Sequence, residues 1–215
     1  MKTIDFNVET LINDQNLLRE LFNCDSIFLS EMSSITFSGQ ISLGANLKFT
    51  GACIFNSGCI VDDGSIISNA TFGKNCHIRP YSLISDTQSG DGNIFGPFTF
   101  VRDNNFIENN SIIGAHTEIV RSKILSNVKI SHRAFIADAK ISENTIIGAG
   151  VIFCNFNGEK KCKSTISKSV IVGSGSLIIS PVTIGASVII AAGSVVNKDI
   201  KANKKFIQKR ESLEI

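Results

Sequence analysis

Residues 130–138 read "ISHRAFIAD", and His132 within them is one of only three histidines in 215 residues. Histidine is the side-chain type most often used as a general base, because a free imidazole ordinarily changes charge near neutral pH. Downstream, residues 155–165 read "NFNGEKKCKST", a polar stretch with Asn155, Phe156 and Lys161, and upstream stand Arg102 and Arg121. Whether these residues meet, and whether His132 is a base or a surface residue, depends on the elements that carry them.

The elements follow a six-residue beat. Large apolar residues recur at Leu43, Phe49, Phe55, Val61 and Ile67, slip to Phe72, and resume at Ile78 and Ile84. The beat restarts at Ile94, Phe100 and Phe106, continues through Ile119, and passes Ile130, Ile136, Ile141, Ile147 and Phe153. It ends on Ile166, Val172, Ile178, Ile184, Ile190 and Val196. Neither a helix of period 3.6 nor an alternating strand has this period. A triangular coil does, with one short strand per hexad and about 18 residues per turn. Positions two before the large residues should also point inward, and they hold Cys53, Cys59, Ser65, Cys76, Ser82, Ser164, Ser176 and Ser194.

Residues three hexads apart then share a column along the prism. His132, Ala149, Ser174 and Ala192 each lie two after an inward residue, so they form one column once the 155–165 insertion is set aside. Arg102 and Arg121 are expected in another. An inserted polar loop on a rigid scaffold is a common place for function.

Outside the beat, residues 8–22 are expected to form a helix with Val8, Leu11, Ile12, Leu18 and Phe22 on one face. The expected division is an N-terminal helical segment at 1–35, the coil at 36–200 and a polar tail at 201–215. A net charge of +2 implies no broad nucleic-acid surface. No apolar run is long enough to span a membrane and no secretory signal opens the chain, which favours a cytoplasmic location. Six cysteines without CxxC spacing read as packed thiols, not a metal site or a disulfide framework.

The chain resembles hexapeptide-repeat transferases. In particular, residues 36–210 resemble the C-terminal acetyltransferase domain of the bifunctional N-acetylglucosamine-1-phosphate uridyltransferase/glucosamine-1-phosphate acetyltransferase. The pieces that carry the likeness are "IFGPF" (94–98), "SHRAFIADAKISENTIIGAG" (131–150), "FCNFNGEKKCKST" (153–165) and "SPVTIG" (180–185). The resemblance implies an all-β fold, a left-handed parallel β-helix with a short N-terminal helix, assembled as a homotrimer. It implies transfer of acetyl from acetyl-CoA to the amine of glucosamine 1-phosphate, towards UDP-N-acetylglucosamine and cell-wall synthesis, without a metal. On that likeness His132 is the general base and the Ala149 N–H stabilises the oxyanion. Asn155 and Phe156 sit beside acetyl-CoA, Ser174 and Ala192 line its pantetheine path, and Lys209 or Arg210 meets the nucleotide phosphates. Arg102 meets the sugar phosphate, Lys161 reaches the site from the loop, and Phe135 stands at a substrate-facing position. The nucleotidyltransferase domain of that family is absent from this sequence, which leaves room for a separate nucleotidyltransferase partner.

Four positions depart from the pattern. Val120 replaces a sugar-phosphate lysine with Arg121 next door, Phe135 and Phe156 replace tyrosines, and Ile146 replaces an asparagine. Loss of such polar contacts changes substrate discrimination by orders of magnitude. Two alternatives therefore stay open: an acyltransferase on another amino sugar or nucleotide-sugar, and a catalytically degenerate trimeric binding scaffold. A zinc hydratase of the same fold would need three converging histidines, and His77, His116 and His132 lack the spacing.

Overall fold

In the computed structural model, residues 1–23 and 26–208 are described, without the side chains of Asn7 and Val8. The described residues form a parallel left-handed β-helix of about ten turns with one short helix. Each short strand pairs in register with the strand one coil on. Ile112, Lys129, Ile146, Ile171 and Ile189 form one such row, and Ile113, Ile130, Ile147, Val172 and Ile190 lie beside them as its buried counterpart.

The beat fills the lumen. Phe49, Phe55, Val61, Ile67, Phe72, Ile78 and Ile84 are fully buried, and so are the inward small residues Cys53, Cys59, Ser65, Cys76 and Ser82. One run is off by a position. Phe95, Val101 and Ile107 face inward, while Phe100 and Phe106 are exposed. Paired apolar residues at 94–95, 100–101 and 106–107 allow both registers, and the tight inner slot decides between them. Counting from Ile94, Phe100 and Phe106 would put Gly92, Phe98 and Asn104 in that slot, where a phenylalanine does not fit. The observed register puts Asn93, Thr99 and Asn105 there, all buried. Their polar groups are satisfied: Asn93 Oδ1 accepts from Ser111 N at 2.8 Å, and Asn105 Nδ2 donates to the Arg102 carbonyl at 2.7 Å.

Corners need left-handed backbone, and asparagine tolerates it better than other non-glycine residues. Asn75, Asn110, Asn127 and Asn144 accordingly turn one edge at φ between 55 and 61°.

The N-terminus differs from the expected helix over 8–22. Lys2–Ile12 is a strand paired antiparallel with Ser34–Leu43, and the helix is confined to Gln15–Phe22. Asp14 caps the helix by accepting from Asn16 N, and Asn23 ends it at φ 46°. Leu18, Phe22 and Ile12 are buried, but Leu11 is exposed, as strand alternation next to Ile12 requires. Phe6, Phe22 and Phe37 form an aromatic cluster that closes the first coil.

The three faces differ in character. One carries the outward isoleucines 112, 146, 171 and 189, and a second carries Ile66, Phe100 and Ile152. These two meet at the edge that holds His132. The third is more polar, with Thr71, Gln88, Lys123, Lys140 and Thr165 around Ile54 and Phe106. No helix among the described residues is long and apolar enough to cross a membrane.

Candidate active site

His132, Ala149, Ser174 and Ala192 do form one column. The Gly150 N–H donates to the His132 carbonyl (3.0 Å), Gly175 to Ala149 (2.8 Å) and Gly193 to Ser174 (2.7 Å). His132 is exposed, and its imidazole makes no hydrogen bond to another described residue. The column continues upward to Ala115, whose carbonyl accepts from Arg133.

Just beyond each column residue lies the corner itself, and its composition changes at His132. Above it, Tyr81, Phe98 and His116 stack as a ring ladder, with centroids 5.4 and 5.0 Å apart and planes within 7°. Below it the corner is glycine: Gly150, Gly175 and Gly193 at φ 66, 68 and 65°. Apart from its chain neighbours, no described residue lies within 4 Å of where a Cβ on Gly150 or Gly175 would stand. The other glycine of "IGAG" has the opposite reason. A Cβ on Gly148 would stand 2.5 Å from Ser174 N, so Gly148 lets the coils close while Gly150 leaves a bare trough under His132.

The remaining candidates gather at the far side of the same face, one strand away, roughly 10 Å. Phe135 lies between the two edges, partly exposed on the strand Phe135–Ala137. Arg102 and Arg121 do not share a column as expected. Arg102 stands in register with Val120, which is buried, and Arg121 turns the corner one residue later at φ 46°. Both guanidinium groups are held by carboxylates. Arg102 donates from Nε and Nη2 to Glu118 Oε1 (2.9 and 2.7 Å) and from Nη1 to Asp103 (2.6 Å). Arg121 makes a bidentate pair with Asp138 (2.8 and 3.0 Å) and also reaches Asp103 (3.1 Å). The Arg121 pair holds the Asp138 carboxyl below its ordinary range, helped by the Asn155 amide.

The inserted loop leaves from this edge. Ile146 pairs with Ile171, 25 positions on, where the coils on either side step by 17 and 18. Phe156 bridges Lys161, and the Cys162 N–H closes onto the Asn155 carbonyl at 2.6 Å. Phe156 and Lys161 are exposed on it. Lys209 and Arg210 lie outside the described residues.

Asp103, Glu118 and Asp138 were not singled out in the sequence, although Asp138 is 17 residues after Arg121, one coil on. His77 pairs with Asp62 at 2.7 Å, away from the His132 column. Cys53, Cys59 and Cys76 are buried, while Cys154 and Cys162 are partly exposed, unlike the packed thiols expected for all six. A groove of about 810 Å³ runs along the polar face beside Arg121 and Asp138, and His132 is not among its lining residues.

Coil, edge column and inserted loop together define the class: a hexapeptide-repeat left-handed β-helix. The coil is similar to that of an Arabidopsis UDP-N-acetylglucosamine acyltransferase, at 20% identity and a TM-score of 0.54 over 82% of this chain and 67% of that one. No family model matches the chain. By sequence it is a homologue of the GlmU bifunctional proteins. It is 34% identical over 205 residues to the protein of Baumannia cicadellinicola subsp. Homalodisca coagulata, covering 94% of this chain and 41% of that protein. It is 31% identical over 170 residues to that of Wigglesworthia glossinidia brevipalpis, covering 79% and 37%. The chain thus spans about two fifths of the length of these relatives.

Proposed function

We propose that the coil, residues 36–200, transfers acetyl from acetyl-CoA to the amine of an amino-sugar phosphate, glucosamine 1-phosphate first among them. The observation that carries the reading is the His132 edge: an exposed imidazole directly above a trough of bare glycine corners. Such a trough admits a slender pantetheine arm and brings its thioester up to the imidazole. His132 takes the proton from the attacking amine, the new C–N bond forms, and the thiolate of coenzyme A leaves. The Ala149 N–H stabilises the oxyanion that forms on the way. Ser174 and Ala192 line the donor arm, and Asn155, Phe156 and Lys161 approach from the loop. Acetyl-CoA supply and the absence of a spanning helix among the described residues suit a cytoplasmic setting.

The reading includes a homotrimer. The two faces that meet at His132 present apolar rows, and association through them would bring the Arg102 and loop edge of one subunit to the His132 edge of another. That arrangement would complete a site around a base that stands exposed at the edge of one chain. A panel assay tests the function: coenzyme A release with glucosamine 1-phosphate, glucosamine and nucleotide-linked amino sugars. Turnover with none of them overturns it. One observation favours a second acceptor. Arg102 and Arg121 already face three carboxylates, Asp103, Glu118 and Asp138, which weakens their pull on a phosphate. Preference for glucosamine over its 1-phosphate would establish that reading.

A further inference from the structure

Asp138 touches both roots of the inserted loop. Its side chain accepts from Asn155 Nδ2 at 2.5 Å, where the loop leaves the coil. Its backbone carbonyl accepts from the Ser164 N–H at 3.2 Å, where the loop returns. Between these roots the loop is tied mainly to itself: Phe156 bridges Lys161, and Asn157 Oδ1 accepts from the Glu159 and Lys160 N–H groups at 3.0 and 2.8 Å. A hairpin that is stiff in itself but attached at its roots pivots there. Asp138 makes a hydrogen bond at each of these roots.

Asp138 is in turn fixed from the other side. Its side chain is only 8% exposed, and both carboxylate oxygens are taken by the Arg121 guanidinium. A planar bidentate pair fixes the plane of a carboxylate as well as its place. Both partners hold left-handed backbone, φ 46° for Arg121 and 50° for Asp138. That conformation is uncommon for an arginine, and it places the two side chains one above the other on adjacent coils. Asp103 steadies Arg121 from the coil above.

We propose that Asp138, locked by Arg121, is a positioning residue that sets the 155–163 loop and thereby the affinity for the acyl donor. The inference rests on the proposed donor site for its second half. It also assigns Arg121 a role other than substrate contact: its donors are spent on the anchor.

The test uses the full-length chain and free coenzyme A as probe. Asp138→Asn keeps the shape and loses the charge, Asp138→Ala loses both, and Arg121→Gln releases the carboxylate. Oligomeric state and unfolding midpoint establish that each variant folds. Hydrogen exchange over residues 155–163 should rise in the order Asp138→Asn, then Asp138→Ala, with the rest of the coil unchanged. Coenzyme A affinity and the acetyl-CoA KM should worsen about tenfold in Asp138→Asn, in line with a lost charge-assisted hydrogen bond, while kcat changes less. In an Asn155→Ala background the same substitution should cost much less, because the effect passes through Asn155. Unchanged loop exchange in Asp138→Ala overturns the anchor. Equal losses of affinity in both backgrounds overturn action through Asn155. A wild-type chain that does not bind coenzyme A overturns the donor half together with the proposed function, and the exchange data still decide the anchor.

Discussion

Two glycines two positions apart should respond to the same substitution in opposite ways. In Gly173→Ala the new Cβ would stand 2.4 Å from Ala192 N and 2.7 Å from the Ala191 carbonyl carbon. Both contacts are with backbone of the next coil, so the coils must part. Overpacking of this kind costs about 3 kcal/mol. In Gly175→Ala the Cβ meets no described residue within 4 Å apart from its chain neighbours, and only the backbone at φ 68° resists. A left-handed alanine costs about 1–2 kcal/mol, and a chain of this size loses about 2–4 °C of melting temperature per kcal/mol. Gly175→Ala should therefore melt roughly 2–8 °C lower, and Gly173→Ala should fall further. The Gly175 methyl, however, stands in the trough proposed for the donor arm. It should raise the acetyl-CoA KM several-fold with the fold intact, whereas Gly173→Ala should lower stability without a selective donor effect. Calorimetric melting and donor KM, measured side by side, decide. An unchanged donor KM in Gly175→Ala would refute the trough as the donor path, and a fully stable Gly173→Ala would refute the coil spacing.

A charge on an apolar face, Ile146→Glu together with Ile171→Glu, should dissociate the assembly without unfolding the coil, while Lys123→Glu on the polar face should not. Light scattering reads both, and a wild-type monomer at micromolar concentration contradicts the trimer. The Asp138 carboxyl is held below its ordinary value by Arg121, so its stabilising charge is fully present above the unfolded carboxylate range, near pH 4. It is lost only as pH falls through the depressed native value. The urea midpoint gap between wild type and Asp138→Asn should persist at pH 5 and close at lower pH; a gap already gone at pH 5 refutes the pairing. Burial raises the Cys53 thiol, so native alkylation should mark Cys154 and Cys162 and spare Cys53. Early modification of Cys53, read by peptide mass, would contradict its packing.

The coil was legible because its period is imposed by geometry: each large residue fills one lumen slot, from Leu43 to Val196. The 94–107 run was misread because adjacent apolar pairs satisfy the beat either way. The deciding signal was Phe98, too large for the inner position. The strand at Lys2–Ile12 was hidden because its apolar residues also fit a helical face, and only pairing with Ser34–Leu43 settles the choice. At the site, His132, Ala149, Ser174 and Ala192 were readable as a column because each lies two after an inward apolar residue once the 155–165 insertion is set aside. The ion-pair spine of Arg102, Asp103, Arg121 and Asp138 was not, because it depends on side-chain reach between coils rather than on apolar spacing.

The central claim is that His132 is the base of an acyl transfer at the edge of the coil. Turnover of His132→Ala with acetyl-CoA and the preferred amino sugar, under conditions where chemistry limits the rate, tests it most directly. His132 is exposed and its imidazole makes no hydrogen bond to another described residue, so the substitution should leave assembly and coenzyme A affinity nearly intact. Turnover should fall by roughly 10²–10⁴. A variant that retains wild-type turnover would contradict the account.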